Sequence, residues 1–91
     1  MALSNEETGR IANELLDSKA NLQRLQQQAR KAVEELSQLI SALRQASEDE
    51  MMFAPPANIP THADLEALRK ELSAAHRRKR DAEIKAREIG L

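Results

Sequence analysis

Cysteine is absent from this chain, and so are tryptophan and tyrosine. The absence of thiols excludes disulfides, thiolate metal ligands and cysteine nucleophiles at one stroke. With Phe53 as the single aromatic residue, any core has to be built from Leu, Ile and Ala. Glycine occurs only as Gly9 and Gly90, so no glycine-rich loop exists to hold a phosphate. Proline is confined to Pro55, Pro56 and Pro60. No apolar run approaches the ~20 residues needed to span a bilayer, and no charged start followed by an apolar run marks a signal peptide. A cytoplasmic protein without a membrane partner is the expectation.

What is present is the raw material of amphipathic helices. At 91 residues the chain makes one domain at most and buries a modest core. Hydrophobic residues at 41% and charged residues at 32% leave it neither a disordered tail nor a collapsed globule. From Ile11 onward, small or apolar side chains recur in alternating steps of four and three: Leu15, Ser18, Leu22, Leu25, Ala29, Ala32, Leu36, Leu39, Leu43 and Ala46. This spacing keeps one helix face turned toward a partner helix for five heptads. Val33 and Ile40 lie beside the stripe and widen it in its second half, which predicts contact with two neighbours there.

The ends of the helices are legible too. Ser4 followed by Glu7 is a capping-box spacing, and Glu6 and Glu7 complement the positive end of the helix dipole. Helical order is expected to stop in the apolar, proline-containing stretch after Glu48. There Met51, Met52, Phe53 and Ile59 either cover the end of the seam or are offered to a partner. Thr61, with Asp64 three residues on, restarts a helix whose stripe runs through Leu65, Leu68, Leu72, Ala75, Lys79, Ala82, Ala86 and Ile89. Lys85 and Arg87 suit its last turn, Gly90 suits the left-handed position beyond it, and the helix is expected to be complete there.

The predicted fold is all-α: one helical-hairpin domain over 1–91, with a helix over 4–48, a Pro-rich apolar loop over 49–61 and a helix over 62–89. The two helices should lie antiparallel in coiled-coil fashion. Residues 1–50 carry six basic and nine acidic side chains and 62–91 carry eight and six, so the opposite net charges of the halves favour this weakly. With Leu65 paired near Leu43 across the proline loop, Ile89 reaches only to about Leu22 and Ile11, Leu15 and Leu16 are left overhanging. Those three residues, with the alanine-rich seams, predict assembly into a dimeric bundle or docking on another protein.

Catalysis finds little support. His62 and His76 are the only histidines and lie in no metal-ligand motif, and the adjacent acidic pairs point to different helix faces. Neither a cofactor nor a metal is expected. The strongest local signal is the run Arg77, Arg78, Lys79 and Arg80, which could contact phosphates or an acidic partner, or be a solvated face paired with Glu83, Glu71 and Asp81. No aromatic accompanies it to stack on bases. The expected function is non-enzymatic protein–protein interaction, as a small adaptor, assembly factor or inhibitor. Its contact residues would be Met51, Met52, Phe53, Ile59, Ile11, Leu15 and Leu16. The alternative is a dimeric nucleic-acid-associated regulator acting through the basic run.

Overall fold

The computed structural model describes residues 4–49 and 58–91. They form two helices, α1 (Asn5–Asp49) and α2 (His62–Glu88), packed antiparallel as a rod 72 Å long and 17 Å across. At α1's start the Glu7 N–H donates to Ser4 Oγ at 3.2 Å and the Thr8 N–H to the Ser4 carbonyl at 3.0 Å. α2 opens on a reciprocal cap: the Asp64 N–H donates to Thr61 Oγ1 at 3.1 Å, and the Thr61 N–H to Asp64 Oδ2 at 3.0 Å. It closes with Gly90 at φ 82°, a conformation costly for any residue with a Cβ. The Gly90 N–H reaches the Arg87 carbonyl at 3.1 Å and the Leu91 N–H the Ala86 carbonyl at 2.8 Å, the paired bonds of a Schellman motif.

The helices meet along the two stripes. Ser18, Leu22 and Leu25 of α1 and Ala75, Ala82 and Ala86 of α2 are buried, and Leu68 and Leu72 pack against the cluster of Leu22, Leu25 and Ala75. Counting in opposite directions from Leu22 beside Ala75 sets Leu15 level with Ala82 and Ile11 level with Ala86. On the other side Ala29 and Ala32 come level with Leu68 and Leu65. Bulky residues therefore face small ones along most of the seam, which lets two helices without aromatics approach closely.

This register corrects the one anticipated with Leu65 near Leu43. Ile89 does not stop near Leu22; α2 reaches almost to the start of α1, and the overhang lies at the opposite end of α1. There α1 runs on past the start of α2 by roughly a dozen residues, on the order of 20 Å. Size matching is the physical reason. Leu65 set beside Leu43 would have put large residues together, with Leu68 beside Ile40 and Leu72 beside Leu36, and crowded that end of the seam.

Ser18 is wholly buried, and its hydroxyl donates to the Leu15 carbonyl at 2.9 Å. It lies level with Lys79, so the smallest polar residue of one seam meets the largest of the other. Lys79 is half-buried with its amino group 3.5 Å from the Glu83 carboxylate, one turn on. The stem stays in the seam while the charge escapes to its edge, and close packing continues beyond it at Ala82 and Ala86.

Candidate protein-interaction surface

Beyond the reach of α2, the seam of α1 continues through Leu36, Leu39, Leu43 and Ala46. Val33 is 61% exposed, Ile40 55% and Leu43 50%, while Leu36, Leu39 and Ala46 are half-buried. The widened stripe that predicted two neighbours thus has none of its own helices on its outer edge. One heptad places Val33 and Ile40 on the same side of the helix, with Leu36 and Leu43 between and after them, so the exposed side chains form one strip.

The other anticipated contact residues are scattered. Ile11 and Leu15 are half-buried toward α2, and Leu16 faces outward at 64% exposure. Met51, Met52 and Phe53 lie outside the described residues, and Ile59 is half-buried.

Half of the basic run is engaged. Arg78 clasps Glu14 across the helix interface, Nε to Oε1 at 2.7 Å and Nη2 to Oε2 at 3.1 Å, a two-pronged contact. Lys79 is held by Glu83. Arg77 and Arg80 are exposed and make no ion pair among the described residues. The hydrogen bond from Arg78 holds the Glu14 carboxyl below its ordinary range, with Lys85 adding to the effect, and the same bond raises Arg78. Glu14 was invisible as a partner until the register was known. Its signal is positional: Glu14 precedes seam residue Leu15 and Arg78 precedes seam residue Lys79, so both flank the interface on one side.

Acid sensitivity follows from the sign of these shifts. Glu14 and Asp64 are both held below their ordinary values, 4.5 and 3.8, Asp64 by the Thr61 N–H and hydroxyl side of its cap. A lowered folded pKa contributes stability that is complete above the ordinary value and is lost as pH falls through the folded one. The melting temperature should therefore fall between about pH 5 and pH 3, less steeply in Glu14→Gln than in the parent. Parallel pH profiles for the two proteins would show that the clasp is not what titrates.

A shallow groove of about 340 Å³ on the other side of the seam is lined chiefly by Lys19, Gln23, Gln26, Gln27, Arg30 and Lys79. It holds no carboxylate or histidine to move a proton, and His62 and His76 are exposed elsewhere. Among the described residues no three His, Cys, Asp or Glu side chains gather as metal ligands, and no helix is long and apolar enough to cross a membrane. Comparison with protein-family models, with curated proteins and with solved structures finds no match.

Proposed function

We propose that this protein is a non-catalytic helical interaction module, in the class of small adaptors, assembly factors and inhibitors, that works by laying the free stripe of α1 against another helical surface. The observation that supports this is the strip of Val33, Ile40 and Leu43, each at least half exposed on a helix that has outrun its own partner. Large apolar side chains gathered in this way mark a contact surface more often than a solvated face. Helix-in-groove docking reads such i, i+3, i+7 anchors. Ile59, Met51, Met52 and Phe53, which lie between α1 and α2 in the sequence, belong to the same proposal. Of Ile11, Leu15 and Leu16, Leu16 alone has the exposure to reach a partner. The nucleic-acid alternative is the weaker reading, because Glu14 and Glu83 take up two of its four cations.

A photoreactive residue placed at Ser47, beside the stripe, tests the proposal in the cells that make the protein. Discrete protein adducts are expected that disappear in Leu43→Glu. Adducts indifferent to that substitution, or none above background, would remove the stripe from consideration, and nucleic acid in the adduct would favour the alternative.

A further inference from the structure

The seam of α1 is continuous from Ile11 to Ala46, and α2 covers only its first part. A helix completing the coverage has to lie in line with α2 and run in the same direction, antiparallel to α1. We infer that this helix is the tail of α1 from a second copy of the chain, the two tails pairing antiparallel about a two-fold axis beside Ile40. The inference rests on the interaction reading above and names its partner.

Three features point to a second copy. The first is continuity with the existing interface: the pairing set out below brings the partner's α1 to its end at the first turn of α2, so the two helices run in line along a single groove and overlap by about one turn where they meet. The second is self-complementarity, which an interface with a two-fold axis requires. Setting Leu36 level with the partner copy's alanine at position 46 also sets Leu39 level with the partner copy's leucine at 43, and each match recurs by symmetry. Ile40, which lies 55% exposed beside this seam, then approaches its own counterpart across the axis. The same pairing of large with small that fixes α1 against α2 is thus repeated between copies.

The third is charge. In the sequence, Glu48, Asp49 and Glu50 follow one another where α1 ends. A parallel pairing would bring the two acidic ends together. Antiparallel overlap of the tails keeps them on the order of 20 Å apart, about two Debye lengths at physiological salt.

Light scattering on the full chain over a concentration series is the test. The mass should rise to twice the 10.2 kDa of one chain, and Ile40→Glu should return it to one chain with the helical circular dichroism retained. Because the chain has no cysteine, a single introduced thiol reports orientation without background. Ile40→Cys should cross-link to itself with a short bis-maleimide, and Ser47→Cys should cross-link to Val33→Cys in a mixture but poorly to itself. A monomer at all concentrations overturns the inference, as does a dimer that survives Ile40→Glu or one in which Ser47→Cys cross-links mainly to itself. Ser47 photo-adducts with a different protein, found alongside a monomeric mass, would leave the interaction reading standing and remove only the second copy.

Discussion

Leu25→Ala is expected to cost the hairpin most of its stability. Leu25 is 2% exposed at the centre of the cluster with Leu22 and Ala75, on the face that α2 covers. Emptying such a site typically costs about 2–5 kcal/mol, made up of lost apolar burial and the cavity left behind. Set against the ~5–15 kcal/mol of an ordinary domain, toward the low end here because the core is so small, the loss is decisive. The urea midpoint followed by circular dichroism should drop sharply, with a partly unfolded baseline at room temperature. Leu16→Ala is the control, since Leu16 is 64% exposed and its truncation should shift stability by no more than about 0.5 kcal/mol. Equal midpoints for the two variants would mean that Leu25 is not where the helices meet.

A second large effect should come from exchanging sizes across one layer. Ala75 is 3% exposed and packs against Leu22, which is 4% exposed, so a leucine at 75 has nowhere to go. Overpacking by Ala75→Leu should cost about 1–3 kcal/mol, and Leu22→Ala alone about 2–5 kcal/mol. The double variant restores the volume of the layer, and most of the loss should return, as a coupling of the two sites in a double-mutant cycle. The outcome is specific to this register. Had Leu65 stood beside Leu43, position 75 would have come level with Val33, far from Leu22, and the two substitutions would simply add. Strict additivity in urea titrations would therefore contradict the packing described above.

The contrast between local and long-range features explains what was legible beforehand. Thr61 with Asp64, and Gly90 with Leu91, act within one turn of chain, so spacing alone exposes them. The stripes were equally plain, because a helix presents every third or fourth residue to the same side whatever lies opposite. Their alignment was another matter. A heptad stripe can slide against its partner in steps of seven and still match apolar to apolar. The stretch of sequence between α1 and α2 is long enough to permit several alignments. The choice lies with the sizes of Ala29, Ala32, Ala75 and Ala82, a subtler property than hydrophobicity. Everything that depends on alignment inherited the uncertainty: the free end of α1, the half-burial of Leu15, and the clasp of Glu14 by Arg78. The widening of the stripe at Val33 and Ile40 needed only the helix itself to be seen, but the second neighbour it predicted is not supplied by α2.

The unequal lengths of α1 and α2 have a thermodynamic consequence. A solitary helix of about a dozen residues is marginal in water, because nothing repays its backbone ordering except its own hydrogen bonds. The last three turns of α1 escape the nucleation cost only because α2 braces the turns before them. Warming should therefore shift these turns toward coil before the braced part melts. Whatever occupies this tail has to stabilise backbone as well as cover side chains, at about 1–2 kcal/mol for each residue it newly orders. Association would therefore carry the signature of coupled folding, with a favourable enthalpy, an opposing entropy and a heat-capacity change beyond that of the apolar contact alone. Its affinity would weaken steeply with temperature well before the hairpin itself melts.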